Sequence, residues 1–150
     1  MSAETIRVLI AGALLLHAFA HGRALAALIA HSLGRFTASW VPVRSGLFPG
    51  LARQAAARAA SVVWMLSTTG FLGAGLLFLG VLAPGEAWRP LALGASIIST
   101  LGSASFSGIW PGSANPGRST LNTLVALTMN LAILVTQLWL HWPPVAMFGK

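Results

Sequence analysis

Long uncharged stretches divide most of the chain into segments of the length that a membrane-spanning helix needs. Three such stretches run between charged residues, from Arg58 to Glu86, from Arg89 to Arg118 and from Arg118 to Lys150. A helix needs about 20 residues to cross the hydrocarbon core of a bilayer, so each stretch accommodates one crossing. We place these three helices near 59–83, 91–110 and 120–142.

The N-terminal segment predicts one further helix near 6–33. Residues 8–34 are apolar except for three histidines, Arg23 and a serine. The alternative is a cleavable signal peptide, with an apolar core at 6–16 and the small-residue pattern Ala18-Phe19-Ala20 as its cleavage site. Because the apolar pattern continues to Leu33, it favours a retained helix of about 25 residues.

Turn residues separate the four predicted helices. The sequences Pro84-Gly85, Trp110-Pro111-Gly112 and Asn115-Pro116-Gly117 are typical of breaks between helices. The connections after the second and third helices are short, which favours sequential antiparallel packing. The pattern therefore predicts an all-α protein with four transmembrane helices in an antiparallel bundle, forming a single membrane domain over residues 1–150.

Composition supports a membrane location. Hydrophobic residues make up 56% of the chain and charged residues only 7%, against about 25% charged in a typical soluble domain. The net charge of +7 would suggest a nucleic-acid partner in a soluble protein. Here the basic residues lie mostly between apolar runs, so membrane topology and anionic lipid explain them better, and we expect no nucleic-acid partner. The excess of Arg over Lys is typical of a GC-rich bacterial genome, which suggests a bacterial inner membrane.

The distribution of basic residues predicts the orientation. The first and third loops carry Arg35, Arg44, Arg53, Arg58 and Arg118, whereas the opposite side carries Arg7, Arg89 and Lys150. The side richer in Lys and Arg faces the cytoplasm, so both termini are predicted to lie outside. Five of the six tryptophans fall near the predicted helix ends, as the aromatic belts of membrane proteins require.

Three polar residues are predicted to meet near the middle of the membrane. His17 and His21 are spaced i,i+4 and share one face of the first helix. Asn130 lies on the polar side of the fourth helix, together with the shallower Gln137. Counted at 1.5 Å per residue, His17, His21 and Asn130 lie at similar depths. Arg23 points roughly the other way and is expected to extend toward the cytoplasmic face.

This polar group allows two interpretations. It can be a hydrogen-bonded clamp between helices, or a binding site for a ligand such as a quinone or a pigment. A haem held by this chain alone is disfavoured, because His141 is too shallow to pair with His17. A chlorophyll-type pigment is disfavoured as well, since the spacing from Ala13 to His17 is common in Ala-rich helices. No metal site is predicted, since Glu4 and Glu86 both lie outside the predicted core and the chain has no cysteine.

The two middle helices carry many small residues. The rows Ser99/Ser103/Ser107 and Thr100/Ala104/Gly108 have the small-xxx-small spacing that permits close helix packing. A hydroxyl-lined path for a neutral solute is the alternative interpretation.

The segment 6–23 resembles the first helix of DoxX-like proteins, a family of small four-helix bacterial membrane proteins. Arg7, the pair His21-Gly22 and Arg23 occupy the places of that family's basic and His-Gly positions. The resemblance implies a redox-associated accessory protein, and for some relatives a link to quinone-coupled chemistry.

Three functions follow as hypotheses. The first is a non-catalytic accessory or structural subunit of a larger membrane complex, with a membrane-protein partner or a second copy of the chain. The second is a quinone- or redox-cofactor-binding protein that uses His17, His21, Arg23, Asn130 and Gln137. The third is a transporter of small neutral solutes. No set of residues typical of a catalytic site is present, so the sequence does not favour an enzyme.

Overall fold

The computed structural model describes residues 2–35 and 38–144 and is all-α apart from one short strand pair. The four helices are α1 (Ala3–Ser32), α2 (Arg53–Leu79), α3 (Trp88–Ser105) and α4 (Pro116–Leu134). A 3-10 turn over Gly85–Ala87 precedes α3, and a π-helical turn over Val135–Trp139 continues α4. Lys150, which contributes to the predicted orientation, lies outside the described residues.

Local signals define the ends of the first two helices. The side-chain oxygen of Ser2 accepts a hydrogen bond from the backbone N–H of Thr5 at 3.1 Å and so caps α1. After α1 the backbone turns at Gly34, with φ 77°, and its N–H donates to the carbonyl of His31 at 2.9 Å. Helix α2 ends in the same way at Gly80, with φ 78°. Both positions use the left-handed conformation that glycine adopts without a steric penalty.

Helix α3 differs from the predicted range 91–110 at both ends. It begins earlier because Pro90 falls in the first turn, where its missing N–H would have no helical partner in any case. It ends earlier because the chain becomes extended at Phe106–Ser107, which forms strand β2. This strand pairs antiparallel with β1 at Arg44–Ser45. The strand pair joins the connection between α1 and α2 to the one between α3 and α4, at one end of the bundle.

Helices α2 and α4 also begin earlier in the chain than their predicted ranges, 59–83 and 120–142. Helix α4 begins after Asn115, whose side chain caps the helix by accepting from the N–H of Arg118 at 3.1 Å. Helix α2 begins at Arg53 because arginine has a high helix propensity, so that the charged residues Arg53 and Arg58 do not interrupt the helix.

Three helices among the described residues are long and apolar enough to cross a membrane. They are α1, α2 and the combined segment Pro116–Trp139. Their outward surfaces expose large apolar side chains, for example Leu16, Phe19, Leu121 and Leu131. This is the surface expected of helices in contact with lipid, so the chain has the features of a multi-pass membrane protein. Helix α3 has 18 residues and is not among the three.

The helices pack in sequence order, α1 on α2, α2 on α3 and α3 on α4. Small residues bring α2 and α3 together. A Cβ atom added at Gly70 would lie 2.8 Å from the Cβ of Ala95, and one added at Gly102 would lie 2.6 Å from the ring of Trp64. Among the described residues, α1 and α4 do not form a closely packed pair of this kind. The seam between α1 and α4 is therefore the open side of the bundle.

Candidate functional site

A buried polar cluster connects α1, α3 and α4. The Nε2 atom of His17 lies 3.0 Å from Oδ1 of Asn130. The amide nitrogen of Asn130 donates to the hydroxyl oxygens of Ser99 at 2.9 Å and of Thr100 at 3.3 Å. Nε2 of His21 lies 2.7 Å from the same Ser99 oxygen. His17, His21, Ser99 and Asn130 are all buried, so these hydrogen bonds are shielded from water and lipid.

Aromatic rings enclose this cluster on the side of α2. The ring of His17 meets Phe71 edge to face, with centroids 4.5 Å apart. The ring of His21 stacks on Trp64 at 5.9 Å and meets Trp110 edge to face at 5.7 Å. Trp110 also donates from its indole nitrogen to the hydroxyl of Thr123 at 3.1 Å, which connects it to α4.

Trp110 reaches this position because the chain leaves α3 before it. The segment 106–113 follows an extended and turning path, with Gly108 at φ 73° and Gly112 at φ 76°. The indole nitrogen of Trp40 donates to the carbonyl of Gly108, and the hydroxyl of Ser113 accepts from the N–H of Val41 at 2.8 Å. These bonds hold the segment across the bundle at the level of His21, instead of letting it continue α3 as the sequence predicts.

A cavity of about 450 Å³ lies beside the cluster, in the seam between α1 and α4. Its polar lining residues include His17, His21, Arg23, Asn122 and Arg118, and its apolar lining residues include Ala20, Trp110, Leu121 and Val125. Buried polar groups such as His17 and His21 beside apolar side chains are typical of sites for small organic ligands, and the volume of this cavity lies within the usual range of such sites. The cavity therefore marks the candidate site.

Two guanidinium groups lie at this cavity without a nearby acid. The only acidic residues of the chain are Glu4 and Glu86, and neither lines the cavity. Arg118 extends over Gly112, since a Cβ atom added at this glycine would lie 3.3 Å from Cδ of the arginine. Arg23 and Arg118 give the site a positive potential and several hydrogen-bond donors that suit a carbonyl or an anionic oxygen.

The predicted site residues divide into three groups in the structure. His17, His21 and Asn130 come together as hydrogen-bonded neighbours. Arg23 is predicted to point away from the histidines. In the structure it lines the adjoining cavity, because this cavity extends along α1 beyond the face that His17 occupies. Gln137 lies apart from the site, and its amide nitrogen donates to the carbonyl of Trp142 at 2.8 Å beyond the π-helical turn.

Sequence reasoning assigned other roles to several residues of the site. Ser99 and Thr100 were predicted to be packing residues, and Arg118 a determinant of topology. The depth of Ser99 and Thr100 along α3 is the signal that could have indicated their contact with Asn130, whereas nothing in the sequence indicates that Arg118 lies over Gly112. Among the described residues, no three His, Cys, Asp or Glu side chains form a group that could hold a metal ion. The arrangement is suited to hydrogen bonding and to binding oxygen-bearing ligands.

No protein-family model matches this sequence. Comparison with curated proteins and with solved structures also gives no significant match. The resemblance of residues 6–23 to DoxX-like proteins therefore stays a prediction from the sequence.

Proposed function

We propose that this protein binds a small aromatic amphiphile of the quinone class in the cavity between α1 and α4. The observation that carries the proposal is the position of the buried, hydrogen-bonded His17 at a cavity of about 450 Å³ that two guanidinium groups also line. A quinone combines a flat apolar ring with oxygen atoms on opposite edges. The cavity offers matching groups, with polar side chains for the oxygens and apolar side chains for the ring.

The aromatic and apolar wall suits the ring of such a ligand. Trp110 presents a large, rigid indole surface, and aromatic rings favour offset-stacked or edge-to-face contacts worth about 0.5–1.5 kcal/mol beyond burial. Leu121 and Val125 add aliphatic surface from α4. Arg23 and Arg118 supply donors to the oxygens. Each part of the ligand therefore has a complementary group on the cavity wall.

The position of the cavity suits a ligand that is dissolved in the membrane. Leu121 and Val125 line the cavity and are also exposed on the outer surface of α4. Ala20 likewise lines the cavity and is exposed on the outer surface of α1. The seam between these helices is not closed by tight packing. A lipid-soluble ligand can therefore enter sideways from the bilayer, without passing through water.

Binding is tested with the purified protein in detergent. Because Trp110 lines the cavity, decylubiquinone should quench part of the tryptophan fluorescence in a saturable way, and the Trp110→Phe variant should lose that part. Extraction of the freshly purified protein with organic solvent should recover a quinone. If no quinone is extracted and the quenching stays linear with concentration, the proposal fails.

In the proposed arrangement all four helices, including α3, cross a bacterial inner membrane. Both termini lie on its outer side. This arrangement is supported by the pairing of β1 with β2, which brings the first and third connections to one end of the bundle. The Arg-rich first loop favours the cytoplasm for that end. Alternation of all four helices across the membrane agrees with their sequential packing.

Single cysteines test this topology cleanly, because the chain has no native cysteine. Gly50 and Gly85 lie in the first and second connections, and neither has an atom within 4 Å of an added Cβ. Gly85→Cys should react with a membrane-impermeant maleimide in intact spheroplasts, whereas Gly50→Cys should react only after permeabilisation. Equal labelling of both in intact spheroplasts would contradict the four-crossing arrangement.

Ligand binding is compatible with the first hypothesis, in which the chain is an accessory subunit. That hypothesis is tested by whether the protein purifies from its native membrane alone or with a larger partner. The transporter hypothesis receives less support, because the hydroxyls of Ser99 and Thr100 are engaged within the bundle and do not line the cavity.

A further inference from the structure

The hydrogen bonds of the polar cluster fix the direction in which each proton points. Nδ1 of His21 lies 3.1 Å from the backbone carbonyl of His17, and a carbonyl can only accept. Nδ1 of His21 therefore carries a proton. A charged imidazolium is costly in a fully buried site without a carboxylate, so Nε2 of His21 is an acceptor. The hydroxyl of Ser99 must then donate to it.

The proton of Ser99 decides how the amide of Asn130 is oriented. Since Ser99 donates to His21, its oxygen is left to accept, and the group facing it must be the amide nitrogen of Asn130. The hydroxyl of Thr100 donates to the carbonyl of Ser96 at 2.8 Å, so it also faces Asn130 as an acceptor. A reversed amide would place its oxygen against two hydroxyls that have no proton to give.

The carbonyl oxygen of Asn130 consequently faces His17, and Nε2 of His17 is the donor. In the neutral ring the other nitrogen, Nδ1, is an acceptor. The structure gives this nitrogen no hydrogen-bond partner among the described residues. It is also not one of the enclosed polar atoms that lack a partner, such as Nε1 of Trp64. Because His17 lines the cavity and is 5% exposed, Nδ1 is the atom of its ring that remains for a ligand.

We infer that the cavity selects the reduced, hydroxyl-bearing form of its aromatic ligand, a quinol over the corresponding quinone, because His17 is held as a hydrogen-bond acceptor. This inference rests on the proposed function. A quinol hydroxyl can donate to Nδ1, whereas a quinone carbonyl would place one acceptor against another. The arginines do not supply this preference, because a guanidinium only donates and can donate to a hydroxyl oxygen as well as to a carbonyl oxygen.

The selectivity also depends on residues that act through His17. One of them, His21, lines the cavity as well, but both of its ring nitrogens are engaged within the cluster. Asn130 fixes the tautomer of His17, and Ser99 and His21 fix the orientation of Asn130. These three are positioning residues, since each acts through its neighbour. A hydrogen bond of this kind, made to one ligand and lost with the other, typically changes affinity by about tenfold.

The test compares dissociation constants of the intact protein for decylubiquinol and decylubiquinone under anaerobic conditions, measured by tryptophan quenching. We expect the quinol to bind about tenfold more tightly. Equal affinity, or tighter binding of the quinone, would overturn the inference while leaving the proposed function in place. If neither ligand binds, the proposed function itself fails, so the two failures are distinguishable.

A second pair of probes separates hydrogen bonding from redox chemistry. 4-Nonylphenol and 4-nonylanisole differ in a single methyl group, and only the phenol can donate a hydrogen bond. The phenol should compete more strongly with bound quinol in the wild-type protein. In the His17→Phe variant, which keeps a ring against Phe71 and removes the acceptor, the two should compete equally.

The exposed His141 offers a matched control. His141→Asn suits its left-handed backbone, with φ 49°, and should keep the wild-type preference. A preference for phenol that persists in His17→Phe would contradict the assignment to Nδ1. Should this variant fail to fold, the wild-type comparison of phenol with anisole still decides, since equal competition there would overturn the inference.

Discussion

Nε2 of His17 and Oδ1 of Asn130 lie 3.0 Å apart, and their hydrogen bond joins α1 to α4 across 113 positions of the chain. These two helices otherwise lack the close packing that joins each helix to its neighbour in sequence. A hydrogen bond therefore joins α1 and α4 at the seam in which the cavity lies. In membranes, such interhelical bonds contribute about 0.6 to 2 kcal/mol each.

The first prediction concerns the energy of this bond. His17→Phe and Asn130→Leu should each lower the free energy of unfolding by about 1–3 kcal/mol, because each leaves a buried partner unsatisfied. The double variant should lose less than the sum of the two, since neither partner of the His17–Asn130 bond is then left behind. Unfolding with sodium dodecyl sulfate in mixed micelles gives the four values of the cycle.

A matched control for this cycle uses Gln137, whose bond to Trp142 is separate from the cluster. The effects of Gln137→Leu and His17→Phe should add without coupling, as they do for independent sites. If the effects of the His17 and Asn130 substitutions were also additive, the hydrogen bond between these residues would not be what holds α1 and α4 together.

The second prediction concerns the close approach of α2 and α3. Gly102→Ala should destabilise the protein by about 1–3 kcal/mol, because the new methyl group would meet the rings and branches of Trp64 and Val63 at 2.6 Å. Gly94→Ala in the same helix should be neutral or mildly stabilising, since its Cβ has no neighbour within 4 Å. Thermal unfolding of the two variants in detergent makes the comparison, and equal melting temperatures would contradict the described packing.

The central polar contact was predictable because helix rise converts sequence position into depth. His17, His21 and Asn130 stand out as polar residues in apolar helices, and their depths match. Ser99 was not recognised as their partner, because a hydroxyl in a helix can satisfy itself on its own backbone, as Ser67 does by donating to the carbonyl of Val63. Nothing local separates a serine of that kind from one that bonds to another helix.

The end of α3 could not be read from the sequence either. The apolar residues of 106–110 continue the pattern of the helix, and the strand pairing that ends it depends on Arg44–Ser45, which are distant in sequence. The cavity was missed for the same reason. It depends on Trp110 folding back over the bundle and on Arg118 lying over Gly112, and both are products of the turn.

The third prediction concerns the two arginines at the cavity. Arg23→Gln and Arg118→Gln should each weaken binding of decylubiquinol by several-fold to about tenfold, because a charged donor to a ligand oxygen is lost. Arg58→Gln removes one positive charge from an exposed position outside the cavity and should leave the affinity unchanged. Titration of tryptophan fluorescence measures all three. An equal loss in all three variants would instead indicate a general effect of net charge.

The fourth prediction concerns Arg7, for which the sequence predicts no contact with another helix. Its Nε atom donates to the carbonyl of Phe78 at 2.7 Å, in the last turn of α2. The carbonyls at a helix end lack partners within the helix, and the negative end of the helix dipole attracts a cation. Arg7→Gln should therefore lower the free energy of unfolding by about 1 kcal/mol.

The exposed Arg35 provides the control for Arg7, because its replacement removes the same charge. Arg35→Gln should change the free energy of unfolding by less than about 0.5 kcal/mol, as is usual for a surface position. Amide hydrogen exchange then locates the effect, and Arg7→Gln should accelerate exchange in the last turn of α2 near Phe78 but not around Trp64 in its middle. Uniform acceleration along α2 would show that Arg7 acts on the whole fold and not as a cap on this helix end.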